Sequence, residues 1–155
     1  AYIIAEVVGI RTAEHSYIPE EGTPEYAIYR KLQEYDLEMS FPYNHAEVRI
    51  ERVLFNRKNS EEIAAGNHIV ISKSAEFAEY SPVLEQGMKI LVRIGVAEAG
   101  AKLPFKYAYS KFGFYYVVND KYVMPGYQET FGYAYAGERI EKLVNGILSL
   151  YRVCK

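Results

Sequence analysis

Apolar and charged side chains alternate from Ala46 to Glu51, with Val48 and Ile50 on one face and Glu47, Arg49 and Glu51 on the other. That is the period of a half-buried strand. Val53, Leu54 and Phe55 then arrive one residue late for strict alternation, which predicts a β-bulge near Arg52 or a strong local twist. A second strand opens after Gly66 and Asn67, with Ile69 and Ile71 facing one way and His68, Val70 and Ser72 the other. The stretch from Ala46 to Lys73 reads as two antiparallel strands around a polar connection, the centre of a curled sheet.

The other elements are placed around that pair. Tyr2 to Arg11 is rich in β-branched residues and predicts a strand buried on both faces for part of its length, with Gly9 suited to a bulge or bend. Thr12 to Gly22, containing His15, reads as an exposed loop. Thr23-Pro24-Glu25 carries the signature of a helix start, and Ile28, Leu32 and Tyr35 give an apolar stripe, so an inserted helix is expected near 24–38, with an extended lobe as the alternative. Pro42 in the segment Ser40 to Asn44 breaks that element. Ser74 to Gln86 is a long connection containing Phe77, Tyr80 and Pro82, and Gly87 to Val96 alternates as a third strand. After a small-residue loop from Ala97 to Pro104, Gly113 to Val118 and Lys121 to Met124 predict a hairpin with Asn119-Asp120 at its turn. Beyond Gly137, Ile140, Leu143, Val144, Ile147, Leu148 and Tyr151 recur at helical spacing and predict an amphipathic helix packed on the sheet. The fold expected is mainly β (α+β). It is a single domain over 1–155, a strongly bent antiparallel sheet or OB-like partly open barrel closed by the C-terminal helix.

A chain of 155 residues buries enough surface to need neither metal nor disulfide, and neither those nor a cofactor is expected. Cys154 is the only cysteine, so no intrachain disulfide forms. The formal charge of -2 lacks the basic footprint of a polyanion binder, so nucleic acid fits poorly as a partner. No apolar run reaches the ~18 residues of a membrane-spanning helix. The chain opens at Ala1, directly in a strand-like run, and the expectation is that an upstream segment such as a signal peptide was removed.

The segments AEVVG in the first strand, VRIERVLF in the second, GNHIVI in the third, LEQGMKILV before and through the fourth, and FYYVVN in the hairpin resemble a loosely defined group of uncharacterised small domains. Those domains are exported or lipoprotein-anchored in Gram-positive bacteria. The likeness spans Ala5 to Asn119 and consists of strand patterning and turn glycines. Where that group often has Lys-Gly after the second strand, this chain has Phe55-Asn56, and Thr12 to Asn44 looks like an insertion. The resemblance carries over no catalytic residue; it implies a secreted or surface-anchored, extracytoplasmic setting and a binding role.

Chemistry is sparse in the sequence. His15, His45 and His68 form no metal or catalytic motif, and satisfied or solvent-facing histidines are the plainer reading. Gly95 to Gly100 has the glycine spacing of a phosphate loop, but Ala101 and Lys102 stand where that motif requires Lys and then Ser or Thr. The acidic pairs Glu20-Glu21, Glu61-Glu62 and Glu76/Glu79 read as solvated faces. An enzyme would need His45, His68 or a glutamate pair to converge with another polar group in a cleft, and a non-catalytic role is expected instead. The remaining candidate is Lys102 to Tyr135, where lysines interleave with aromatic rings; Tyr accounts for 16 of the chain's residues. Lys106, Tyr107, Tyr109, Lys111, Tyr115 and Tyr122 are the candidate contacts for an unknown protein, peptide or glycan, by ring stacking and charge, with an OB-like module for oligosaccharide or single-stranded nucleic acid as the alternative. Alternation also sends about half of these rings into the core, the structural alternative for the same segment. Uncovered strand edges leave homodimerisation open.

Overall fold

The computed structural model describes residues 1–57, 60–75, 81–97, 105–127 and 133–153. Six strands and two helices follow in the order β1 (Tyr2–Ser16), α1 (Pro24–Gln33), β2 (Ser40–Phe55), β3 (His68–Ser74), β4 (Lys89–Val96), β5 (Tyr107–Val118), β6 (Tyr122–Pro125) and α2 (Ile140–Val153). They build one bent sheet in the order β3-β2-β1-β4-β5-β6. Its antiparallel ladders end in a short parallel contact of β3 with β5, Ile71 opposite Tyr107 and Ser72 opposite Ala108. The sheet therefore curls into a partial ring, as the alternation pattern predicted.

The bend has identifiable causes. Register shifts between Ile4 and Ala5 and between Tyr2 and Ile3 leave Glu51 and Leu54 of β2 unmatched, so the predicted irregularity flanks Arg52 on both sides. A third shift falls between Val7 and Gly9 and leaves Val8 unmatched. Curling gives the sheet two apolar faces. Ile3, Val7, Val48, Ile50, Ile71, Ile90 and Val92 fill the inside of the ring, while Ile4, Leu91, Tyr115 and Val123 meet Ile140, Leu143, Val144 and Ile147 of α2. Asn119 and Asp120 take positive φ at the β5–β6 turn, as expected of those residue types.

The region between β1 and β2 departs from the expected loop. Thr12 to Ser16 extends β1, and Ser40 to Asn44, expected to break structure, extends β2; the ladder runs to Ser16 opposite Ser40. Cross-strand pairing satisfies the backbone there, and Pro42, opposite Glu14 and just beyond the last β2–β3 pair at Tyr43, takes part through its carbonyl, which accepts from the Ala75 amide at 2.8 Å. The result is an arm of two strands with α1 in its connection. Thr23 caps α1 through its side chain, accepting from the Tyr26 amide, and Pro24 opens it. No residue of α1 is buried, so the Ile28–Leu32–Tyr35 stripe covers no core. Phe77, Tyr80, Glu76, Glu79, Lys102, Phe131 and Cys154 lie outside the described residues, as does most of the glycine loop after Ala97, and the Tyr151 side chain is likewise not described.

Candidate functional site

Before their short ladder, β3 and the chain entering β5 diverge, and a cleft of about 540 Å³ opens between them. His68, Ile69 and Val70 form one wall and Phe105, Lys106 and Tyr107 the other; Glu62 and Asn67 come from the β2–β3 connection, and Arg11 and His45 from the base of the arm.

Glu62 ties the β2–β3 connection to the β5 wall. Its carboxylate accepts from Lys106 Nζ at 2.5 Å and from the Tyr107 hydroxyl at 2.7 Å. The Lys106 hydrogen bond first, and then that of Tyr107, hold the Glu62 carboxyl below its ordinary range. Asn67 donates through Nδ2 to the carbonyls of Glu61 and Glu62, at 3.2 Å each, fixing the turn that presents this carboxylate. His68 Nδ1 lies 3.1 Å from Glu47 on the exposed strand face. Arg11 has no ion-pair partner among the described residues.

At the base of the arm, His45 is almost fully buried. Its Nδ1 is 2.7 Å from Ser72 Oγ, and its Nε2 is 2.7 Å from His15 Nε2. Burial, followed by the charges of His15 and Arg11, lowers the His45 pKa and favours the neutral ring. Tyr43 and Phe105 complete the aromatic packing, their ring centres 5.0 Å apart. The Ser72 hydroxyl is fully buried, and the His15–His45–Ser72 chain of contacts joins β1, β2 and β3 at the base of the arm.

The six residues expected to form one surface are dispersed. Tyr107, Tyr109 and Tyr115 are only 4%, 7% and 3% exposed. Tyr107 and Tyr109 pack inside the ring, whereas Tyr115 packs beneath α2. The reason is that β5 is covered on both sides, and that from Ile94 to Val92 the β4 partner moves two residues while β5 moves five. This wide bulge, with Gly113 at φ 75°, changes which side chains face inward. Lys111 sits over the Tyr127 ring at 4.1 Å, and Tyr122 lies at the distant β5–β6 turn, 37% exposed. Lys106 and the Tyr107 hydroxyl alone of the six reach the cleft. Sequence reading did not bring Arg11, Glu62, Asn67 and Phe105 together: Arg11 ended a predicted strand, Glu62 read as part of a solvated acidic pair, Asn67 as a turn residue, and Phe105 as one ring of the Lys102 to Tyr135 segment.

Among the described residues, no group of three or more His, Cys, Asp or Glu side chains is arranged to hold a metal ion, and no helix is long and apolar enough to cross a membrane. No protein-family model, curated protein or solved structure matches this chain.

Proposed function

We propose that this chain is a non-catalytic binding domain that takes a short stretch of oligosaccharide in the cleft between β3 and the start of β5. The observation that carries this reading is that a guanidinium, a pre-positioned carboxylate, an amide and an imidazole, in Arg11, Glu62, Asn67 and His68, line one cleft with the Phe105 ring. Sugar hydroxyls need such mixed donors and acceptors at fixed spacing, and an aromatic ring suits the apolar face of a pyranose. The position supports the same reading, because partly open barrels of this type bind oligosaccharides and oligonucleotides on the β2–β3 face and the adjoining β1–β2 and β4–β5 loops. Between those two ligand classes, the charge favours sugar. Glu62 would face a phosphate backbone, and the chain as a whole carries -2. The resemblance to exported domains supports an extracytoplasmic setting, where glycans are the abundant polymer.

The test is titration calorimetry of the intact chain against neutral and uronate-containing oligosaccharides and a single-stranded oligonucleotide. Glycan binding that weakens by about tenfold or more in Glu62→Gln, a loss of about 1.4 kcal/mol, is the expected result. Heat from the oligonucleotide alone, vanishing steeply with salt, would replace the glycan reading with the nucleic-acid one.

A further inference from the structure

Helix α1 has ten residues, none of them buried, and it makes only marginal contact with any strand or with α2. Isolated helices of that length are marginal in water, so a surface outside the arm would add to the stability of α1. One of its faces is used: Tyr26, Tyr29, Arg30 and Gln33 border a groove with Ile18 and Pro19. Ile28 and Leu32 project on the opposite side, continued in the turn that follows by Tyr35 and Leu37. Ile28, Tyr35 and Leu37 are 55%, 75% and 53% exposed. Residues 17–39 hold six acidic and two basic side chains, a formal charge of -4, which leaves +2 on the remainder of a chain whose total is -2. Acid flanking an exposed apolar stripe selects a partner with an apolar centre and a basic rim.

The same chain presents such a surface at the β5 bulge. At the β5 bulge, Phe112 is 49% exposed, and Lys111 lies over both its ring and that of Tyr127, at 5.4 and 4.1 Å from the ring centres. Arg93 flanks the bulge at Gly113. Lys73 is close enough for the Lys111 charge to add to burial in lowering its pKa. No acidic side chain pairs with Lys73, Arg93 or Lys111 among the described residues.

We propose that the chain self-associates head to tail, the arm of one copy seating its Ile28–Leu32–Tyr35 stripe on the basic aromatic patch around Phe112 of the next. Pairing of two arms is disfavoured, since it would bring two segments of -4 together. A contact between different patches leaves a free arm and a free patch at the ends, so association continues beyond the dimer unless a ring closes.

Sedimentation velocity of the intact chain over a range of concentrations tests this. The expected result is growth beyond monomer that shrinks at ~1 M salt, where the screening length is only about 3 Å. An arm variant, Ile28→Glu with Tyr35→Glu, and a patch variant, Lys111→Glu with Phe112→Ser, should each remain monomeric alone. Mixed in equal amounts, they should form a dimer and nothing larger, because one intact arm and one intact patch remain. Should the patch variant fail to fold, Lys111→Glu alone serves, with association weakened about tenfold. A wild type that stays monomeric at every concentration, an arm variant that assembles like wild type, or a mixture that stays monomeric would each overturn the proposal.

Discussion

His15 Nε2 lies 2.7 Å from His45 Nε2, a contact that a neutral pair makes with one shared proton and that two imidazolium rings cannot make. His45 is also within 2.7 Å of Ser72, and the charged or titratable groups facing it are His15 and Arg11. Its pKa is lowered from 6.5 by burial and then by those two groups, so the folded state binds a proton less readily than the unfolded chain. Stability from this site is complete above the unfolded pKa and is lost as pH falls below about 6.5 toward the depressed folded value. Thermal melting at pH 7.5 and 5.5 should show a lower midpoint in acid. His45→Gln should flatten the difference, and an unchanged pH slope in that variant would locate the proton uptake elsewhere.

Tyr109 and Tyr122 separate scaffold from surface. Tyr109 lies in the ring core, 5.9 Å from Phe114 between ring centres, and burial, with a smaller contribution from Tyr116, pushes its phenol up to about 12. Tyr109→Ala should cost about 3–5 kcal/mol in urea unfolding. Tyr122→Ala, at an exposed turn, should stay within about 0.5 kcal/mol. Equal effects would refute this placement of the two rings.

Tyr107 tests the strap across the cleft. Its ring is core, while its hydroxyl donates to Glu62 Oε2 at 2.7 Å. Tyr107→Phe keeps the ring and removes that donor, so a stability loss of about 1 kcal/mol is expected, together with weaker glycan binding from a looser Glu62. A Glu62 titration followed by NMR should move up in this variant, because the Tyr107 hydrogen bond contributes to holding the carboxyl low. No movement would mean that Lys106 alone sets it.

Much of the fold was legible because period-two alternation in Val48–Ile50, Ile69–Ile71 and Ile90–Ile94 is a local record of burial. The helical spacing of Ile140 to Ile147 is a record of the same kind. The arm was not legible: Thr12 to Ser16 is polar on both faces, and only its partner across the ladder makes it a strand. The cleft was hidden for a related reason. Arg11, His45, Glu62 and Phe105 are brought together by ring closure between β3 and β5, and no short motif encodes that closure. Tyr-rich composition marked the segment that holds β5 as a candidate surface, but it could not say that a strand covered on both sides turns its tyrosines into core.

Gly113 sits at the bulge that redirects those tyrosines, and its replacement tests whether the bulge depends on glycine. Its φ of 75° lies in the left-handed region, where an L side chain costs about 1–2 kcal/mol. A Cβ there would meet the Tyr2 hydroxyl at 3.1 Å, its Cε1 at 3.3 Å and Arg93 Cβ at 3.5 Å, so crowding adds to the dihedral cost. Gly113→Ala should therefore lower the urea midpoint by the equivalent of roughly 1–3 kcal/mol. Asn tolerates left-handed backbone, as Asn119 does at φ 52° in this chain, so it recovers part of the dihedral cost but none of the crowding. Gly113→Val should be worst, since a β-branched side chain is least suited to positive φ. The expected order of stability is Gly, Asn, Ala, Val. An Ala variant as stable as wild type would show that β5 can re-register without glycine, and the alternating burial on either side of the bulge would then need another cause.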